Sequence, residues 1–357
     1  MIIHILLIKN FYNHIGSLTF VSPLIKYKNF LKDKGYKIKF FYKITDDFFD
    51  CDFLLIEKKF FNSLSYKDKK NFLQKIKNLN KKIKKIYVDT SDSTGQIEKE
   101  SLIIFDKYWK GQILRNINLY NSIHYGGRFF TDFNKNYFKI KDTKELKSEK
   151  IDRKLLLKKL EVSWNMGLVN FDLFSPFYHK LHSFLKSRFF FKDPKIYNLN
   201  FSKSKDVTCR LSLNYHRETV KFQRLKIKSL LENITVTKRI SRFKYFNELK
   251  ISKISVSPFG WGEICIRDFE TFICNSCLMK PDMSQINTWP NYYLKNKSYI
   301  SFNWNMNDFE NCLSKILNNN NKIKEISDYG KNLYSKFNLN KEAANIFVNR
   351  FSELINK

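Results

Sequence analysis

The run from Lys253 to Asp282, KISVSPFGWGEICIRDFETFICNSCLMKPD, constrains the fold of this chain more than any other segment. KISVS is a short β-branched stretch suited to a buried strand, and Pro258 to Gly262 is turn chemistry. From Glu263 the apolar positions Ile266, Phe269 and Ile273 recur at helical spacing to about Cys274. There Asn275 can take the left-handed position normally filled by glycine. A further apolar strand follows. Strand, turn, helix and strand in succession is the repeat of a doubly wound parallel sheet.

The chain has only 10 glycines in 357 residues, so the pair flanking Trp261 marks a backbone requirement. A glycine turn that opens a helix presents backbone N–H groups to an anion. Glu263, Arg267 and Glu270, spaced four and three apart, share one face of the expected helix. Two readings of that face stand open: an intrahelical Glu–Arg–Glu stripe in water, or inward carboxylates that grip a nucleotide diphosphate.

Elsewhere strand and helix patterns alternate in the same way. Strand-like runs are IIHILLI, YKIKFF, FLLIE, KIYVD and LIIFD, with the clearest helix at Tyr66 to Lys81. Helices are expected near Arg153 to Leu168 and Phe177 to Phe190, followed by a linker around Lys192 to Asn200. A second unit begins with VTCRLSL, continues through a helix at Gln223 to Asn233, and adds the strand YISF and a helix at Asp308 to Leu317. Lys322 to Lys357 reads as two helices. The fold class is therefore α/β, doubly wound. The length accommodates two units that each bury a core.

The run GWGE…RDFE…C, followed by a strand and KPDM, resembles the nucleotide-binding half-motif of the group 1 glycosyltransferases, which have the GT-B architecture of two Rossmann-like domains. The resemblance is good over residues 205 to 357 and thinner before. It implies an acceptor domain at 1–192, a nucleotide-sugar domain at 193–340, and a last helix, 341–357, crossing back onto the first domain. Carried over by position, Glu270 would accept hydrogen bonds from the nucleotide ribose, and Gly260 and Gly262 would form the loop around the donor sugar and diphosphate. Cys274-Asn275 stands where the family has Cys-Gly. Glu263 would be the sugar-contacting acid, although the separation of Glu263 from Glu270 is one residue short of the family's. Arg217 and Arg224 would supply cations for the leaving diphosphate, with Arg210 ending a strand.

Ligands of open α/β sheets sit beyond the carboxyl ends of strands. After the first strand, Asn13-His14-Ile15-Gly16-Ser17 resembles the family's glycine loop facing the donor. His14 is there either as the base or as an ordinary loop residue. After KIYVD, the polar run Asp89 to Gly95 places Asp89 and Asp92 to line an acceptor pocket. HYGGRFF holds the only Gly-Gly pair, hence a tight turn, with Arg128 beside it as a cleft residue. Asp50-Cys-Asp52 precedes a strand and reads as a turn rather than a metal motif.

The six cysteines are scattered, which suits free thiols in a reducing compartment. Cys274 and Cys277 spell C-x-x-C without a second pair, so no metal is expected there. No apolar run is long enough to span a bilayer, and the start lacks a cleavable leader pattern, so a cytoplasmic location is expected. The net charge of +31 has three readings: genome-wide composition, attraction to an anionic membrane surface or acceptor, and nucleic acid. Lysine spread along the whole chain, not interleaved with aromatics, disfavours nucleic acid. The expected activity is metal-independent transfer from a nucleoside diphosphate sugar to an acceptor hydroxyl. Its setting would be surface polysaccharide, lipopolysaccharide or other glycan synthesis, with a glycan or lipid-linked acceptor and no cofactor. The alternative is a non-catalytic basic module binding a polyanion or an anionic membrane surface.

Overall fold

The computed structural model describes residues 1–151, 154–185, 191–197 and 203–357. Twelve strands lie among them: β1 Ile2–Leu6, β2 Lys37–Phe41, β3 Phe53–Glu57, β4 Lys84–Asp89, β5 Lys107–Lys110, β6 Gln112–Leu114, β7 Leu160–Val162, β8 Lys205–Thr208, β9 Ser252–Val256, β10 Cys277–Pro281, β11 Ile286–Thr288 and β12 Tyr299–Phe302. The first sheet has the order β2-β1-β3-β4-β5-β7 and the second β12-β10-β9-β8. Every pair in both sheets is parallel. Two doubly wound units thus face one another, as the alternation of patterns requires. Their central strands are fully buried, which explains why IIHIL, FLLIE and KIYVD read as continuous apolar runs.

A third sheet joins the units. β6 from the first lobe pairs antiparallel with β11 from the second, Ile286 opposite Leu114 and Thr288 opposite Gln112. Arg115 extends the junction, its Nε donating to the Ser284 carbonyl at 2.8 Å. The last helix, Asn340–Asn356, returns to the first lobe. Its Phe347, Phe351, Leu354 and Ile355 share one core with Ile3, Leu55, Trp109 and Trp164.

Several expectations are corrected. LIIFD ends the helix Lys99–Ile104, and the fifth strand is the next segment, Lys107–Lys110. The apolar content of the two is similar, so only pairing with β4 separates them. Arg153 to Leu168 is not one helix: Lys154–Leu157 is helical, then β7 forms the sheet edge and Met166–Leu168 makes a single turn. The helix expected to reach Phe190 is Ser175–Leu185; residues 186–190, and the linker's 198–200, lie outside the described residues. Asp50 and Asp52 do form a turn, the Asp52 carboxylate accepting from the Ile2 N–H at 2.7 Å.

Candidate functional site

The segment after β9 folds as a glycine turn, but the helix starts later than the apolar spacing suggests, at Ile266–Ile273. The reason is a local cap. Asp268 reaches back to the Cys265 N–H at 3.0 Å, which stops the helix from extending through Glu263. Asp268 is itself buried, paired with Lys280 at 3.1 Å and hydrogen-bonded by Tyr293 at 2.7 Å. The helix N-terminus is therefore satisfied by the chain's own acid, and the Gly260 N–H donates to the Gly262 carbonyl at 3.0 Å. The expected amide cradle for phosphate is largely occupied. At the other end Asn275 adopts φ of 51°, the left-handed position read from the sequence.

Glu263 consequently leaves the helix and turns into the interface between lobes. Its carboxylate accepts from the Thr94 N–H at 3.1 Å, the Thr94 hydroxyl at 2.7 Å and Gln112 Nε2 at 3.0 Å. Burial raises its pKa against those hydrogen bonds. A catalytic or sugar-contacting role for Glu263 is corrected to an inter-lobe clasp. Gly262 shows why glycine is needed beside it: a Cβ there would lie 1.6 Å from the Asp92 carbonyl oxygen of the other lobe.

Two cavities meet across that contact. One, of about 600 Å³, lies over the carboxyl ends of the first sheet and is lined by His14, Gly16, Asp89, Asp92 and Arg128, together with Lys58 and Trp164. The other, of about 560 Å³, lies over the second sheet and is lined by Gly260, Gly262, Arg224 and Glu270. Asp92, Trp261, Ile15, Met166 and Ile264 line both, so the two halves form one cleft with Asp92 and Trp261 at its waist. Arg128 holds the waist, its Nε donating to the Trp261 carbonyl at 2.6 Å and its guanidinium 3.5 Å from Asp92.

In the second-lobe half, Arg210, Arg224, Arg239, Arg242 and Arg267 line the cavity together with Glu270; Arg210 is itself paired with Glu248. Glu270 is 5% exposed and receives Arg242 Nη1 at 2.7 Å. Burial raises its pKa, with Arg242 and Arg267 opposing. Arg242 is anchored from behind by the carbonyls of Phe171 and Asp172, at 2.8 and 2.7 Å. Arg224 donates to the Phe259 carbonyl at 2.7 Å, and burial lowers its pKa. Arg267 is half-buried, its Nη2 donating to the Arg210 carbonyl and its Nη1 enclosed without a partner. Arg239 is exposed on the loop before the helix Arg242–Ile251.

Arg217, expected to hold the diphosphate, lies elsewhere. Its guanidinium pairs with Asp142 at 2.9 Å and donates to the Gly126 carbonyl at 2.7 Å. That is a structural bond to the Gly126-Gly127 turn, whose φ values of 73° and 67° require glycine. Its place in the cleft is taken by Arg210, Arg239, Arg242 and Arg267. Arg267 was visible from its spacing to Glu270; Arg239 and Arg242 carry no pattern, because a loop brings them in.

In the first-lobe half, His14 caps the helix Ile15–Lys26 at the cleft edge. A Cβ on Gly16 would lie 2.1 Å from the Thr90 carbonyl oxygen, so that helix packs directly on the Asp89–Gly95 loop. Asp89 is buried, 2.8 Å from Lys110 and 3.5 Å from Lys58, and it accepts from Tyr108 at 2.7 Å. Burial alone would raise its pKa, but Lys110 and Lys58 hold it below the usual carboxylate range. It forms the floor of the cavity, while the Asp92 side chain is 39% exposed and faces both halves. Among the described residues no group of three His, Cys, Asp or Glu is placed to hold a metal ion, and Cys274 and Cys277 are buried free thiols.

No protein-family model matches the chain, and no curated protein matches it. Among solved structures it is similar to HepE from Anabaena in complex with UDP-glucose, at 9% identity over 100% of this chain and 99% of that one, with a TM-score of 0.45. It is also similar to a glycosyltransferase from Rickettsia africae, at 8% identity over 99% and 98% of the two chains, TM-score 0.44. A third is an alpha-glucosyltransferase in complex with UDP and DNA, at 8% identity over 100% of both chains, TM-score 0.42. At identities this low the chemistry is argued from the site residues themselves.

A lowered carboxylate contributes stability above the unfolded-state pKa, and the contribution is lost as pH falls through the folded value. Asp89→Asn strands Lys110 in the core, so it should cost about 3–5 kcal/mol and flatten the loss of stability below the usual carboxylate range. Denaturant unfolding at a series of pH values checks both effects; an unchanged acid limb would contradict the pairing.

Proposed function

We propose that this protein is a glycosyltransferase that moves a sugar from a nucleoside diphosphate sugar to an acceptor hydroxyl in glycan synthesis. The observation that carries this reading is the cleft itself, with one buried carboxylate among five guanidinium groups on one side, a polar cavity on the other, and Asp92 between them. A nucleoside diphosphate presents both kinds of partner: a diol that donates to a carboxylate and a diphosphate that pairs with guanidinium forks. A polyanion binder gains nothing from Glu270 at the centre of its cationic pocket, which argues against the basic-module reading.

In this mechanism Glu270 orients the ribose while Arg242 fixes the carboxylate. Arg224, Arg239 and Arg267 stabilise the charge that grows on the departing diphosphate. Arg267 is held in place by its Nη2, which donates to the Arg210 carbonyl. Asp92, exposed at the waist, is the base that takes the acceptor proton; His14, at the edge of the acceptor half, is the alternative.

The reading extends to a cytoplasmic protein held at an anionic membrane face, where a lipid-linked acceptor is delivered. Its support is the helix Ser175–Leu185, which exposes Phe177, Phe184 and Leu185 at 58, 72 and 64%, next to Phe174 at 55%. Apolar patches of this kind on a monomer mark interaction surfaces. Phe11 contacts His182 of this helix, which puts the patch near His14 and the cleft mouth.

Glu270→Ala should abolish binding of nucleotide sugars while the folded signal is retained; calorimetric titration against a panel of them checks this, and undiminished binding sinks the transferase reading. With the donor identified, Asp92→Asn should lower kcat about 100-fold or more with little change in donor KM. Equal loss in His14→Ala with none in Asp92→Asn would move the base to His14. Vesicle flotation should show binding to phosphatidylglycerol but not to phosphatidylcholine, lost in Phe177→Glu/Phe184→Glu; a double variant that floats like the parent refutes the membrane contact.

A further inference from the structure

On the far side of the Pro258–Gly262 loop from the donor half lies a third cavity, of about 930 Å³, between the helix Phe129–Phe138 and the loop after β12. The helix gives it an ordered wall. Phe129, Phe133 and Tyr137 recur every fourth residue, and Asp132 and Asn136 form the neighbouring stripe. The Phe133 and Tyr137 rings stack on one another, centroids 5.3 Å apart, which leaves the outer face of Tyr137 open. The opposite wall is Trp304, whose ring meets Phe129 at 5.6 Å and Phe133 at 5.7 Å. Its indole N–H is tied to the Asp282 carbonyl at 2.7 Å, so the ring is fixed in place. Tyr137 is 57% exposed, and its hydroxyl receives Asn305 Nδ2 at 3.4 Å.

The polar groups lining this cavity are amides, a serine hydroxyl, the Tyr137 hydroxyl, and the carboxylates of Asp132 and Asp282. No Lys or Arg lines it, although the chain carries 65 of them. Its two carboxylates are already engaged, Asp282 by Lys295 at 3.3 Å and Asp132 by His124 at 3.7 Å, so the lining offers no free cation to an anionic ligand. A lipid is excluded by the density of amides. What remains is a neutral ligand with apolar faces for rings and edges that both donate and accept hydrogen bonds, which is what amide side chains offer.

We propose that this groove binds a neutral glycan chain, with a pyranose face stacked on the exposed Tyr137 ring and hydroxyls bonded to the amides. It deepens the transferase reading, on which it rests. Arg128, the residue before Phe129, stands at the waist of the cleft, and Trp304 packs on Phe259 of the donor-side loop at 5.6 Å. The groove therefore backs onto the wall of the cleft.

The test is affinity electrophoresis in acidic native gels containing dextran, glycogen, galactomannan or hydroxyethyl cellulose. At least one polymer should retard the parent protein. Tyr137→Ala should weaken the retardation about tenfold, the order of one lost ring stack with its contact area, and Asn136→Ala/Asn305→Ala should weaken it as well. Glu270→Ala should keep the retardation while losing the donor. Migration unaffected by every polymer, or a Tyr137→Ala variant retarded like the parent, overturns the groove. So does Tyr137-dependent binding of a proline-rich peptide without retardation by any polymer. In each of those cases nucleotide-sugar binding by the parent protein would leave the transferase reading standing; loss of donor binding with retained polymer binding would do the reverse.

Discussion

The contact between Gly262 and the carbonyl of Asp92 sets the geometry of everything else. A single missing side chain lets the donor-side loop of the second lobe touch the Asp89–Gly95 loop of the first. Glu263 then locks the approach by accepting three hydrogen bonds from Thr94 and Gln112. A buried carboxylate with fewer partners would be costly, so the clasp holds only when both lobes are in register. Because of that register, Asp92 and Trp261 belong to both cavities, and the two halves make one cleft.

Charge is sorted around this contact. The floor of the first-lobe half is a neutralised network in which Lys58 and Lys110 hold Asp89 ionised. The donor half keeps a surplus of guanidinium. The groove behind the loop is lined by no Lys or Arg at all. Several arginines that line the donor half are also held by backbone carbonyls: Arg242 by Phe171 and Asp172, and Arg224 by Phe259. Fixed in this way, the cations need little reorganisation when a diphosphate binds.

Much of the architecture was legible because it depends on local pattern. Strand runs such as FLLIE and KIYVD are apolar throughout because both faces of a parallel sheet are covered. Asn275 announced the end of its helix through its tolerance of positive φ. The errors fall where local pattern is degenerate. LIIFD and KYWK suit a strand about equally, and which of them joins β4 depends on pairing across the sheet. Glu263 fits the face of a helix until Asp268 caps that helix three residues later. Arg217 had every local sign of an anion ligand, but it answers to Asp142, distant in sequence.

The sequence by itself determined that the chain winds two parallel sheets, where the glycine turn after β9 lies, and that Asn275 ends the helix that follows. These follow from periodicity and backbone freedom, which are properties of short segments. The tertiary structure alone decided which arginines line the cavity with Glu270, that Glu263 joins the lobes, and that Asp92 stands at the waist. Those facts concern side chains brought together from loops far apart in the chain, and short-range pattern carries no information about which loops will meet.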